Sequence, residues 1–186
     1  YIKKFGADAV RCYLLFLGPF NQGGDFQDTA MEGMYRFIKR VWALLASKSI
    51  AGTDATGTAK SMLHETIKGM TEDLEALRYN TAIAKLMTYY NFLALRLRSG
   101  QAISREEVEA YLKMLAPFAP HMTEEWWEKL GNKFSIHTQL WPKYDEAAII
   151  KDIIIIPVQV NGKLRGTLEV SKDEIEDKDK IEKEAR

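Results

Sequence analysis

The sequence predicts a mainly α fold, a helical bundle followed by a small α+β segment with a β-hairpin. Apolar residues recur at alternating three- and four-residue spacings along most of the chain, and S/T-x-x-E boxes mark helix starts. From Ile149 the pattern changes to β-branched residues around an Asn161-Gly162 pair. That change places a domain boundary near Ala148.

In chain order, Ala7, Val10, Leu14 and Leu17 define a first helical stripe, which Gly18-Pro19 stops. A turn-rich stretch from Asn21 to Asp25 follows. Thr29-Ala30-Met31-Glu32 reads as a capping box, behind which Met31, Met34, Ile38, Val41 and Leu45 make one apolar face. After a loop from Ala51 to Gly57, Leu63, Ile67, Met70, Leu74 and Leu77 repeat at helical spacing. Ile83, Leu86, Tyr90, Leu93 and Leu97 do the same up to Ser99-Gly100, with a break expected near Tyr79-Asn80. Ser104-Arg105-Glu106-Glu107 is a second capping box, opening a helix with the stripe Val108, Tyr111, Leu115 and Phe118. Pro117 and Pro120 interrupt that helix, and a shorter one runs from His121 towards Gly131.

Asn161-Gly162 suits a type I′ turn, which needs positive φ at both central positions. The register that follows pairs Val160 with Lys163 and Val158 with Arg165, so both cations leave one face of the hairpin. On the opposite face Gln159 meets Leu164, and Ile155 and Ile153 oppose Leu168 and Val170. Pro157 offers no ladder N–H, so an edge or a bulge is expected there. Ser171-Lys172-Asp173-Glu174 caps a final charged helix.

A chain of 186 residues makes one or two domains at ~100–200 residues each. With 26 basic and 26 acidic residues the total charge is zero, so nucleic-acid binding would have to come from local clusters. The single cysteine, Cys12, excludes an internal disulfide framework and fits a reducing compartment. No apolar run approaches membrane-spanning length, so no membrane partner is expected. The chain opens on Tyr1 and stops within a charged helical run, as a piece of a longer protein would.

No nucleophile sits in a recognisable motif and no phosphate-cradling glycine loop is present, so no catalytic residue is assigned. Cys12 lies among Leu14, Leu15 and Phe16 and reads as a structural thiol. His64, His121 and His137 have no second ligand at metal spacing, so no metal site is assigned either. Glu124 and Glu125 are ordinary acids of a helix start, Arg96 and Arg98 are candidate dipole partners, and one of Trp126 and Trp127 is expected in the core. Arg36, Lys39 and Arg40 are the exception. At i, i+3 and i+4 they gather three cations on one flank of a helix, which reads either as a solvated face or as a phosphate-contact surface.

Together these residues resemble a known family. Gly6-Ala7-Asp8-Ala9-Val10-Arg11 with Tyr13-Leu14-Leu15-Phe16 resembles the helix after the KMSKS loop of class I aminoacyl-tRNA synthetases of the leucine, isoleucine and valine group. Tyr79-Asn80-Thr81-Ala82-Ile83, the run from Leu115 to His121, Glu124-Glu125, Trp127 and the run from Ile136 to Pro142 resemble that group's anticodon-binding helical domain. The run from Val158 to Gly166, supported by Met31 to Phe37 ahead of Trp42, is similar to the bacterial-type leucyl branch.

The resemblance implies a class Ia anticodon-binding domain and a division into 1–27, a helix and linker after the catalytic domain; 28–148, the helical bundle; and 149–186, the start of a C-terminal tRNA-binding domain. It implies leucine tRNA as partner, with Arg36, Lys39, Arg40, Lys163 and Arg165 as contacts to phosphate or sugar. It also implies a cytoplasmic ligase whose ATP, Mg, catalytic and editing domains lie outside this chain, which alone is expected to need no cofactor and to be inactive. A helical protein-interaction module, and the equivalent region of an isoleucyl or valyl enzyme, are the alternatives.

Overall fold

A computed structural model describes residues 1–19, 21–47, 50–51, 54–149, 153–160 and 163–171; for residue 51 and the hairpin strands only the backbone is described. Seven α-helices occur among them: α1 (Ile2–Phe5), α2 (Ala7–Phe16), α3 (Asp28–Leu45), α4 (Gly57–Glu75), α5 (Tyr79–Arg98), α6 (Arg105–Leu115) and α7 (Pro120–Lys129). Two single 3₁₀ turns follow, at Ile136–Thr138 and Glu146–Ala148. The strands are β1 (Ile50–Ala51), β2 (Ile103–Ser104), β3 (Ile153–Val160) and β4 (Lys163–Ser171).

The helices close around one core. Met31, Phe37 and Val41 of α3, Leu63 and Met70 of α4, Leu86, Tyr89 and Leu93 of α5, and Tyr111 of α6 are all buried within it. The α4–α5 pair forms an antiparallel hairpin, as the stripes imply. Its turn is tighter than the pattern suggests: α4 ends at Glu75 and α5 begins at Tyr79. Leu77 occupies the left-handed region at φ 56°, a position that favours glycine, with Arg78 N–H donating back to the Asp73 carbonyl at 2.7 Å. Leu77 closes the α4 stripe in sequence but is exposed in space. The short parallel pairing of Ile50 with Ile103 ties the α3–α4 connection to the start of α6, and nothing local in the sequence announces it.

Ser104 caps α6 as its motif predicts: its hydroxyl accepts from Glu107 N–H at 3.1 Å, and the Glu107 carboxylate accepts from Ser104 N–H at 2.9 Å. The first capping box is corrected. α3 begins at Asp28 after Gln27, with no side-chain cap from Thr29. Tyr13 decides that start, because its hydroxyl accepts from Gln27 N–H at 2.7 Å and donates to the Gln27 carbonyl at 3.0 Å. Glu32 turns instead towards Lys4, at 3.6 Å.

The buried face of α2 is a second correction. Asp8, Ala9, Cys12 and Tyr13 point inward, whereas Leu14 is 53% exposed and Val10 only half-buried. Small residues let α2 approach the bundle closely, and Asp8 gives that face a polar purpose. Its carboxylate accepts from Met122 N–H at 2.7 Å and meets His121 Nδ1 at 2.7 Å, so it caps the N-terminus of α7 from 113 residues away. The displaced apolar face of α2, with Leu74, Tyr79 and Phe118, lines an open groove of about 690 Å³.

The hairpin forms, but its register is not the one alternation predicts. Val160 pairs with Lys163 and Gln159 with Leu164, and then a shift intervenes so that Val158 faces Gly166, Ile156 faces Leu168 and Ile154 faces Val170. Arg165 is the residue left without a partner in the ladder. The irregularity falls between Val158 and Gln159, one residue beyond the proline expected to cause it. The turn at Asn161-Gly162 and the final helix proposed after Ser171 lie outside the described residues.

Candidate nucleic-acid interface

The helical period places Arg36, Lys39 and Arg40 on the outer face of α3, opposite Met34, Phe37 and Val41 in the core. All three are exposed, and among the described residues none pairs with a carboxylate. The nearest acid in sequence, Glu32, is occupied by Lys4. Two of the cations are held by rings. The Lys39 ammonium sits 5.5 Å from the Tyr35 ring centroid, and the Arg40 guanidinium 5.6 Å from that of Tyr90. Tyr90 is itself buried, packed edge-on against Phe37 at 5.8 Å.

Between these side chains lies an open groove of about 460 Å³, lined among the described residues by Gly33, Arg36, Lys39 and Arg40. Unpaired cations fixed around a recess favour a polyanion, since an arriving phosphate displaces water and counterions but breaks no ion pair. Sequence spacing found the three cations. Tyr35 stands one turn before Lys39 in the sequence, whereas Tyr90 on α5 had no local signal.

Lys163 and Arg165 stand differently. Lys163 sits opposite Val160 as expected, but Arg165 falls at the register shift, so the alternation that put both cations on one face no longer applies.

Several other polar groups are engaged in architecture. Cys12 is buried with its thiol donating to the Phe118 carbonyl at 3.3 Å, and burial, helped by the Asp8 charge, pushes that thiol up to about 12. It has no nucleophilic role at neutral pH. Burial likewise pushes the phenols of Tyr89 and Tyr111 well above their usual range. Arg96 and Arg98 stand in the last turn of α5, as dipole partners would, and Arg96 also forms an ion pair with the fully buried Glu107. Glu124 accepts from Ile136 N–H at 3.0 Å and Glu125 pairs with Lys129 at 2.6 Å. Trp127 enters the core, while Trp126 meets Trp42 edge-on at 5.1 Å with the Lys129 ammonium over both rings. Among the described residues no group of three or more ligating side chains could hold a metal ion, and no helix is long and apolar enough to cross a membrane.

The site is thus a helical bundle with three neighbouring cations of one outer helix lining a solvent-exposed groove and, among the described residues, without an acidic partner. The chain belongs to the anticodon-binding domain family of tRNA ligases, whose model matches residues 58–180. It is 44% identical over 176 residues to a leucine–tRNA ligase of Dehalococcoides mccartyi, covering 91% of this chain and 22% of that one. It is 41% identical over 171 residues to a leucine–tRNA ligase of Rubrobacter xylanophilus, covering 91% of this chain and 21% of the relative. Among solved structures it is similar, with a TM-score of 0.70 and 30% identity, to the ternary complex of LeuRS, tRNA and LeuAMS from Agrobacterium radiobacter K84, over 91% of this chain and 24% of that one. The chain thus spans about a fifth of the length of the curated relatives it matches.

Proposed function

We propose that this chain is the tRNA-holding part of a leucine–tRNA ligase, gripping leucine tRNA through its sugar–phosphate backbone while activation and transfer of leucine, with ATP and Mg, belong to other domains of a cytoplasmic enzyme. The observation that carries this reading is the α3 ridge: Arg36, Lys39 and Arg40 surround one groove without a carboxylate partner among the described residues. Leucine ligases at 41–44% identity favour leucine over isoleucine or valine as the amino acid served, and over a protein-interaction module. The ridge precedes the range matched by the family model, so its role rests on geometry. Lys163 and Arg165 are retained as contacts made by the hairpin.

The chemistry is positional. Cations at i, i+3 and i+4 meet phosphates from one side of a helix and carry no base information, so shape and register dominate recognition. The test is binding of leucine tRNA to the 186-residue chain across a salt series. Each lost phosphate contact lowers the slope of log K against log salt by about 0.9. Replacing Arg36, Lys39 and Arg40 together with alanine is expected to flatten the slope by two to three such steps, and Arg165→Ala by about one. A triple variant with unchanged affinity and slope refutes the α3 assignment.

A further inference from the structure

Gly33 lies inside α3, which continues for three further turns to Leu45. The usual reasons for a helix-interior glycine do not apply to it. It is not among the residues of positive φ, so its backbone makes no demand that alanine would fail. It ends no helix. Nor does a neighbouring element approach: a Cβ built on Gly33 meets, within 4 Å, only the Arg36 Nη2 at 3.8 Å, an ordinary contact. Gly69 on α4 differs, since a Cβ there would stand 2.6 Å from Lys85 Cε and that side chain would have to shift. Among the described residues, what lies over Gly33 is the groove it shares with Arg36, Lys39 and Arg40.

We infer that Gly33 is a ligand-approach position, its missing side chain forming the floor on which the sugar–phosphate backbone of RNA descends to α3 beside the three cations. A glycine lets a ligand reach helix backbone that any side chain would hold off. Lys39 is braced by Tyr35 and Arg40 by Tyr90, and with Arg36 they line the one groove that opens at Gly33. A side chain here would lift the backbone from the cations without removing a charge.

This inference rests on the proposed tRNA-holding role, and the test separates the two. Leucine tRNA is titrated against the 186-residue chain carrying Gly33→Ala, Gly33→Leu or the triple alanine replacement of Arg36, Lys39 and Arg40. Both glycine variants gain helix propensity, so their thermal midpoints are expected to rise by about 2–4 °C. Binding is expected to weaken slightly for Gly33→Ala and by about tenfold or more for Gly33→Leu, with a shallower salt slope. If Gly33→Leu binds as the parent does while the triple variant is impaired, the ridge binds tRNA and the role of Gly33 is refuted. If neither variant is impaired, the α3 reading falls and takes the glycine with it.

Discussion

The wall formed by α4, α5 and α6 and the outer face of α3 use charge in opposite ways. Along the wall each buried acid is matched: Glu107 is fully enclosed with Arg96 and the Ser104 cap, and Asp73, 3% exposed, holds Arg78 at 2.9 Å and Lys85 across the α4–α5 turn. On α3 three cations are exposed and find no acid among the described residues. Charge that builds the fold is paired because burial makes an unpaired ion costly, whereas charge left unpaired at the surface costs little and stays available to a ligand. The two regions therefore respond to mutation in separable ways: the first loses stability, the second loses binding.

The largest effect should come from Glu107→Ala, which strips the half-buried Arg96 guanidinium of its partner and a helix of its capping box. A loss of about 3–5 kcal/mol is expected in urea unfolding. A smaller change would show that water reaches Arg96, whose side chain is 17% exposed, and would soften the contrast between wall and ridge.

Asp73 sharpens the comparison through pH. Burial pushes its carboxyl up, but hydrogen bonds from Lys85, Thr81 and Arg78 outweigh this and hold it below the usual range. A group depressed in the folded state stabilises it above its unfolded pKa of ~3.9, and that contribution is lost as pH falls through the folded value. Asp73→Asn should thus cost about 1–3 kcal/mol at neutral pH, and the gap to the parent protein should close on acidification below ~4. Urea midpoints measured from neutral to acid pH would show it; a constant gap would mean that the carboxylate charge contributes nothing.

The smallest expected effect lies on the ridge. Alanine at Arg36, Lys39 or Arg40 should shift stability by less than about 0.5 kcal/mol per site, since no pair is broken. The ring contacts of Lys39 with Tyr35 and of Arg40 with Tyr90 are the packing at stake. A Tm drop in the single variant comparable to that of Glu107→Ala would erase the distinction between architectural and available charge.

Local grammar was enough for much of this. The periodic stripes of α3 to α6, the Ser104 capping box, the Gly131 stop and the clustering of Arg36, Lys39 and Arg40 all depend on residues within about one helical turn of one another, and each was legible in the chain. What escaped was decided by partners far away in sequence. Alternation of apolar residues could not tell that Asp8 would turn α2 inward to cap α7, because Met122 lies 114 positions along the chain. Nor could Thr29-Ala30-Met31-Glu32 compete with the Tyr13 hydroxyl, which clamps Gln27 and starts α3 two residues earlier than a Thr29 cap would have set it. In the hairpin a single unpaired residue moved every pair beyond the first two, since a ladder of period two has no local means of announcing a slip. The sequence alone determined which residues are cations and where helices run; tertiary packing decided which cations are matched and which remain free, because pairing depends on neighbours in space.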